Sequence, residues 1–225
     1  MNLPTQNESF FKEIPANFIG YENWKTAPAN ITEERLEIAG NAVMEAWEEP
    51  YMQELAKIVT SKGGAILEIG FGLGISARYI QQHDIEEHTI VEANSDVFVK
   101  LEEFACQAKH KVTPIFGLWQ EVVDSLPSES FDGILFDTYP ITKEELDNSD
   151  FQFLETAYRL LKKGGVFTYF SDYPGFRPSF LQLLNQVGFS QVSSNTCSIQ
   201  FQDSKYWGDK SPFEQLEFLA PIIIK

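Results

Sequence analysis

The most informative segment of this chain is Ala65-Ile66-Leu67-Glu68-Ile69-Gly70-Phe71-Gly72-Leu73-Gly74. Its first half is a short apolar run typical of a buried strand, and from Ile75 onward the pattern becomes helical. Glycines between a strand and a helix permit a tight turn and let a ligand approach the backbone closely. The spacing G-x-G-x-G occurs in dinucleotide and nucleoside sites, and it can also do no more than shape a turn.

Similar strands and helices alternate downstream of this loop. Strands are predicted at Thr89–Glu92, Val112–Phe116, Gly133–Phe136 and Val166–Phe170. Helices are predicted at Ile75–Gln82, Asp96–His110, Gln120–Ser125 and Phe151–Lys163, the last ended by a glycine C-cap at Gly164-Gly165. This alternation predicts a doubly wound, Rossmann-like α/β fold with a mostly parallel sheet. A helix near Ser179–Val187 and runs at Gln191–Gln202 and Glu214–Lys225 predict an antiparallel edge.

Upstream of the loop, prolines and scattered aromatic side chains predict an N-terminal arm that is irregular and packs by its aromatics. Thr32 is expected to cap a short helix, with Glu33 and Glu34 in its first turn. A longer helix is predicted from Asn41 to Thr60, kinked at Pro50. We expect one domain over 1–225.

Charge and composition exclude several classes of protein. The 225 residues carry 17 Lys and Arg against 33 Asp and Glu, a formal net charge of −16, which repels nucleic acid and favours a small cationic partner. The hydrophobic content of 43% argues against disorder. No apolar run is long enough for a membrane span, and the N-terminus does not resemble a signal peptide. Neither the cysteines nor the histidines form a metal pattern. We expect a cytoplasmic monomer or homodimer without metal.

Two acidic residues near the glycine loop narrow the choice of cofactor. Glu68, two residues before Gly70, would repel a pyrophosphate and could interact with an ammonium group. Glu92 ends the next strand, where a carboxylate can accept from both ribose hydroxyls. An acidic crevice without Lys or Arg suits S-adenosylmethionine, which is cationic and carries no phosphate, better than NAD. Trp119 follows the third strand and could stack near the adenine, or it could be an ordinary buried tryptophan.

Two further acidic residues predict a site for a cation. Asp137 ends the fourth strand, at the edge where open α/β sheets bind ligands, and it could accept paired N–H bonds from a guanidinium or only cap a loop. Met44, Glu48 and Met52 recur at a spacing of four residues, which predicts one stripe of a helix. Glu48 could then be desolvated between the methionines and paired with a cation, or it could point to solvent.

Taken together, these segments resemble guanidinoacetate N-methyltransferase and its relatives. The resemblance runs through Val43–Met52, Leu67–Gly72, Gly117-Leu118-Trp119, Phe131–Pro140 and Arg159–Val166, with Trp24 and Ala27-Pro28 as an N-terminal motif. It covers Trp24 to Tyr169 and implies an S-adenosylmethionine-dependent N-methyltransferase acting on a guanidino or similar cationic nitrogen of a small molecule. The single domain would then be a methyltransferase domain, with an N-terminal arm or lid at 1–40, a cofactor-binding core at 41–170, and a substrate-side segment with edge strands at 171–225.

The resemblance also implies roles for individual residues. The cofactor site would include Trp24, Met44, Met52, Glu68, Gly70, Gly72, Leu73, Gly74, Ile75, Ser76, Glu92, Ala93, Asn94, Trp119, Gln120 and Asp137. Met44, Glu48, Asp137 and Tyr139 would bind the substrate. Among these, Glu48 and Asp137 would hold the guanidino group and act in catalysis, with Asp137 helping to deprotonate the attacking nitrogen. The N-terminal arm would close over both ligands.

Two departures from the family pattern bear on the substrate. The segment Ser171–Phe180 is shorter than the corresponding insertion of the animal enzymes, and Gly74 replaces a bulkier residue. The sequence therefore leaves open several acceptors: a guanidinoacetate-like or arginine-like molecule, arginine in a protein, or a specialised metabolite without a guanidine. It is also compatible with a non-catalytic S-adenosylmethionine-binding module and with a polyamine-type aminopropyl transferase.

Overall fold

The computed structural model describes residues 18–143, 145, 152–171, 175–200 and 215–225. The N-terminal part begins with helix α1 (Tyr21–Thr26), followed by strands β1 (Ala29–Ile31), β2 (Arg35–Ile38) and β3 (Asn41–Glu45). These three strands form a small antiparallel sheet of their own. One 3-10 turn (Ala46–Glu48) then leads into helix α2 (Glu49–Val59).

The rest of the described chain alternates between strands and helices. In chain order it contains β4 (Ala65–Ile69), α3 (Ile75–Ile80), β5 (Glu87–Glu92), α4 (Ser95–Gln107), β6 (Lys111–Phe116), α5 (Trp119–Val122), a 3-10 turn (Val123–Ser125) and β7 (Phe131–Phe136). It continues with α6 (Leu154–Leu160), β8 (Leu161–Tyr169), α7 (Pro178–Val187), β9 (Gln191–Gln200) and β10 (Gln215–Ile224).

The large sheet has seven strands in the order β6-β5-β4-β7-β8-β10-β9. The strands from β6 to β8 pair in parallel, and β10 pairs antiparallel with both β8 and β9. The chain runs outward from β4 through β5 to β6, and then returns to the other side of β4 as β7. The carboxyl ends of β4 and β7 therefore flank the point where the strand order reverses, which is where such sheets bind ligands. This topology confirms the predicted doubly wound fold.

The sheet separates two apolar cores. Ile66 and Leu135 face α2 and belong to one core, whereas Leu67, Ile134 and Phe167 belong to the other. All five side chains are fully buried. Because successive side chains of a strand point to opposite faces, a strand covered on both faces consists of continuous apolar residues, as the sequence of β4 indicates. No helix in the described part of the chain is long and apolar enough to cross a membrane.

The predictions for the N-terminal part were wrong in their secondary structure. Residues 29–45 form the small β-sheet, not a capped helix at Thr32 followed by a helix from Asn41. Thr32 lies in a turn, where its side-chain oxygen accepts from the N–H of Arg35. Pro50 occupies the first turn of α2, where it starts the helix instead of kinking it. Of the predicted arm, Phe10 and Phe11 lie outside the described residues.

Two other predicted features also differ from the structure. The helix predicted to end at Gly164-Gly165 ends at Leu160, and both glycines belong to β8. The predicted start of that helix, Phe151, lies outside the described residues. Met44, Glu48 and Met52 do not share one helical stripe, because they lie on β3, on the 3-10 turn and on α2.

Candidate active site

A cleft opens at the carboxyl ends of β4, β5 and β7 and encloses about 730 Å³, part of it open to solvent. The residues that the sequence predicted to be functional and that line this cleft are Trp24, Met44, Gly70, Gly72, Glu92, Ala93, Trp119, Gln120, Asp137 and Tyr139. The sheet topology thus brings together residues that lie far apart in the sequence.

The glycine loop supplies the floor of the cleft and requires glycine at two positions. Gly70 has a φ of 92°, and a Cβ there would lie 1.9 Å from the carbonyl oxygen of Asp137. Gly72 has a φ of 55°, and a Cβ there would lie 2.8 Å from the Sδ of Met44. The N–H of Leu73 lies 3.2 Å from the same sulfur. The backbone of the loop therefore approaches both the end of β7 and the small sheet closely.

Glu92 presents a fixed carboxylate at the end of β5. It is 8% exposed, and its two oxygens accept from the N–H of Phe71 at 3.0 Å and of Asn94 at 2.7 Å. Burial raises the pKa of Glu92, and the backbone hydrogen bonds partly oppose that shift. Backbone N–H groups of Gly72 and Ala93 also act on this carboxylate, so the backbone on both sides holds it in one orientation at the edge of the cleft.

The N-terminal part covers one side of the cleft. The Trp24 ring is 5% exposed and stacks on the Tyr139 ring with 5.4 Å between centroids and an interplanar angle of 6°. The side-chain amide of Asn94 donates to the carbonyls of Trp24 and Ala27, each at 2.9 Å. Its oxygen caps α4. Asn94 therefore attaches α1 to the cofactor-binding half of the sheet without lining the cleft itself.

Two acidic side chains interact beside the cleft: Asp137 lines it, and Glu48 lies outside its wall. Asp137 follows β7 and is half-buried; burial first, and the charge of Glu68 second, raise its pKa to about 7. Glu48 is 8% exposed and accepts from the N–H of Glu45 at 2.7 Å. Burial, followed by the charge of Asp137, raises the pKa of Glu48 well above its usual range. Neighbouring acids whose ionisation is opposed in this way are suited to binding a cation.

Several predicted site residues do not line the cleft. Glu68 is fully buried, accepts a hydrogen bond from the hydroxyl of Ser76, and lies 3.0 Å from His88. It therefore does not reach the cleft, where an ammonium group of a ligand could contact it. Met52 is buried in the apolar core. Leu73, Gly74 and Ile75 line a second groove on the outer side of the glycine loop. Besides these, the residues outside the cleft wall are Glu48, Ser76 and Asn94.

The sequence did not identify some residues of the cleft wall. Leu36, Ile38 and Val43 of the small sheet line the cleft, as does Glu145. Glu145 accepts from the hydroxyl of Tyr21 at 2.8 Å and from the side-chain amide of Gln120 at 2.9 Å, which links α1 to α5. The spacing Thr142-x-x-Glu145 is that of a capping box, a signal that could have revealed a structured turn here.

The donor and acceptor groups of the cleft fit S-adenosylmethionine. No Lys, Arg or His is among the described residues that line it, so it offers no charged partner for a phosphate. The side-chain oxygen of Gln120 is buried and has no hydrogen-bond partner among the described residues, leaving an acceptor for an amino group of a ligand. The glycine loop adds a surface where a ligand can approach the backbone closely, and Glu92 adds a fixed carboxylate.

The fold and the relatives agree with this geometry. The solved structure of M. jannaschii TYW2 in complex with AdoMet matches with a TM-score of 0.59 over 89% of this chain and 87% of that chain, at 14% identity. Protein arginine N-methyltransferase 2 of Yarrowia lipolytica is 34% identical over 58% of this chain and 28% of that protein. Its namesake in Kluyveromyces lactis is 31% identical over 72% of this chain and 40% of that protein.

The chain therefore spans less than half the length of these two curated relatives. The family model for guanidinoacetate N-methyltransferase matches residues 20–174, which is more than half of the chain. This match confirms the resemblance found in the sequence and, with it, the methyltransferase class and S-adenosylmethionine as the cofactor of that class. The chain belongs to the guanidinoacetate N-methyltransferase family.

Proposed function

We propose that this protein transfers a methyl group from S-adenosylmethionine to a nitrogen of a guanidino group. The observation that carries the proposal is the interaction between the charges of Glu48 and Asp137, which raises the pKa of Glu48. Ionising either carboxyl group away from water costs free energy. A planar cation with several N–H donors would offset this cost for both groups. A guanidinium is such a cation.

S-adenosylmethionine, when bound, supplies an electrophilic methyl group. Glu92 and the glycine loop would hold it at the ends of β4 and β5, and Trp24 with Tyr139 would exclude water from that side. Glu48 and Asp137 would orient the acceptor so that one nitrogen faces the methyl group, and this positioning would supply much of the rate. Asp137 would accept the proton that the nitrogen loses, because its pKa of about 7 suits a base at neutral pH.

The acceptor can be a small guanidine or an arginine within a protein. The names of the fungal relatives favour arginine in a protein, whereas the family model is named for a small guanidine. The acidic net charge suits either one. We propose a guanidino group as the methyl acceptor. The binding experiment distinguishes a small guanidine from arginine within a protein.

Isothermal titration calorimetry tests the proposal. S-adenosylhomocysteine is titrated first, followed by arginine, guanidinoacetate, an arginine-containing peptide and an amine without a guanidine. We expect at least one guanidine to bind to the binary complex, and Glu48→Gln or Asp137→Asn to weaken that binding strongly. The matched control is Glu49→Gln, an exposed acid next to Glu48. Cofactor binding without binding of any guanidine would refute the proposed acceptor.

A further inference from the structure

A buried polar cluster beneath the glycine loop is not used in the mechanism described so far. Glu68 and His88 are both fully buried, with 3.0 Å between Oε2 of Glu68 and Nε2 of His88. The hydroxyl of Ser76 donates to the other oxygen of Glu68. The Nε2 of Gln81 lies 3.4 Å from Nδ1 of His88. Burying a carboxylate in the core is costly even when it is paired, so an apolar residue at position 68 would suit stability better.

The strand register places this cluster in line with Asp137. His88 on β5 pairs with Ile66 on β4, two residues before Glu68. Glu68 pairs with Leu135 on β7, two residues before Asp137. Since side chains two apart lie on the same face of a sheet, His88, Glu68 and Asp137 form a diagonal row that leads from the core to the cleft. Diagonal neighbours of this kind are separated by about 7–8 Å, close enough for charges to interact in a buried setting.

We propose that Glu68 is a positioning residue for methyl transfer: held by the hydroxyl of Ser76 and lying beside His88, it keeps a negative charge behind Asp137 and so makes Asp137 a better proton acceptor. The inference rests on the proposed function, in which Asp137 takes the proton from the acceptor nitrogen. The charge of Glu68 acts together with burial to raise the pKa of Asp137. A base whose pKa lies near the working pH combines an ionised fraction with a strong affinity for the proton.

The charged and titratable groups around this row are few in the described structure. Asp137 interacts with Glu48 on the 3-10 turn and with Tyr51 on α2. Glu68 contacts His88 and Ser76.

The direct test is a carbon-13 NMR titration of the Asp137 carboxyl in protein labelled with carbon-13 aspartate. The signal is assigned by its loss in Asp137→Asn. In Glu68→Gln we expect the titration midpoint to fall by roughly one pH unit, the size of a screened interaction between charges at this distance. An unchanged midpoint would overturn the proposal.

Thr168→Val is the matched control. Thr168 is fully buried and pairs with Leu135 from the side opposite to Glu68, so it lies in the same row of the sheet without a charge. The titration midpoint of Asp137 in Thr168→Val should equal that in the unmodified protein. An equal fall in Thr168→Val would mean that any change in this row disturbs Asp137, and it would also overturn the proposal.

A double variant keeps the proposal testable where Glu68→Gln alone does not fold. Glu68→Gln with His88→Gln replaces the pair by two neutral amides that can bond to each other, and it should lower the midpoint by the same amount. On the acid side of the pH profile, the pH at which kcat/KM falls to half should shift by the same amount as the titration midpoint of Asp137. If the midpoint falls but no guanidine is methylated, the proposed function fails while the electrostatic role of Glu68 stands.

Discussion

Gly70 and Gly164 have the same backbone requirement but different surroundings. Both have a positive φ, 92° and 80°, yet a Cβ at Gly70 would collide with the carbonyl of Asp137 whereas nothing lies within 4 Å of one at Gly164. Gly164→Ala should therefore cost only the backbone strain, about 1–2 kcal/mol. Gly70→Ala should cost clearly more in the free energy of unfolding and should abolish binding of S-adenosylhomocysteine.

Chemical denaturation and cofactor titration of the two variants check this prediction. Gly164 lies on β8, away from the cleft, so cofactor affinity in Gly164→Ala should equal that of the unmodified protein. Equal stability losses in the two variants would show that the close approach of Gly70 to Asp137 does not exist in solution.

The ionisation of Asp137 predicts a pH dependence for acceptor binding. Its pKa of about 7 is raised above the usual value of 3.8, so in the free protein it is protonated below that pH. A guanidinium needs the carboxylate, and binding must then release a proton. Affinity should rise by up to about tenfold per pH unit below pH ~7 and level off above it.

Calorimetry in two buffers of different ionisation enthalpy measures the released proton directly. In Asp137→Asn the remaining binding should lose this part of the pH dependence. An affinity that falls as the pH rises from about 6 to about 8 would contradict the assignment of Asp137 as a carboxyl that must ionise.

At the scale of elements, the parallel sheet could be predicted from sequence and the small N-terminal sheet could not. Most residues of β4, β5, β7 and β8 are buried, so each of these strands contains a short run of apolar residues between helical patterns. Strands β1 to β3 have only three to five residues each, and Met44, Glu48 and Met52 happen to follow one another at a spacing of four residues. Pro50, from which we predicted a kink, could have indicated the true start of α2, since proline is common in the first turn of a helix.

The functional site, too, could be predicted from the sequence only in part. Glu92 and Asp137 could be predicted because they end strands, and a strand end in a parallel sheet has a known position. The close pairing of Glu68 with His88 depends on register across two strands, which the sequence does not reveal. The contribution of Glu145 depends on contacts with Tyr21 and Gln120 that are distant in the chain.

The attachment of α1 through Asn94 predicts how the cleft is closed. Asn94→Ser keeps an oxygen to cap α4 but loses both donations to the carbonyls of Trp24 and Ala27. We expect faster hydrogen–deuterium exchange over residues 20–31 and roughly tenfold weaker binding of S-adenosylhomocysteine, because two buried carbonyls lose their partner. A loss of stability confined to α4 would mean that Asn94 acts only as a helix cap.

At the scale of the whole molecule, the net charge of −16 should guide cationic acceptors to the cleft. The KM for a peptide with several arginines should rise by roughly tenfold between about 50 mM and about 500 mM salt, since many charges are screened at once. The KM for a guanidine with a single charge should change much less. Equal salt dependence for the two acceptors would show that contacts outside the cleft do not contribute to binding.

In the proposed reaction, a guanidino nitrogen receives the methyl group. Product analysis by mass spectrometry shows which atom carries it. The protein is incubated with S-adenosylmethionine and the guanidine that binds best, and the product is fragmented to locate the methyl group. We predict a methyl group on a guanidino nitrogen, at least about 100-fold less product with Asp137→Asn, and unchanged product with Glu49→Gln. A methyl group on any other atom, or full activity of Asp137→Asn, would contradict the account.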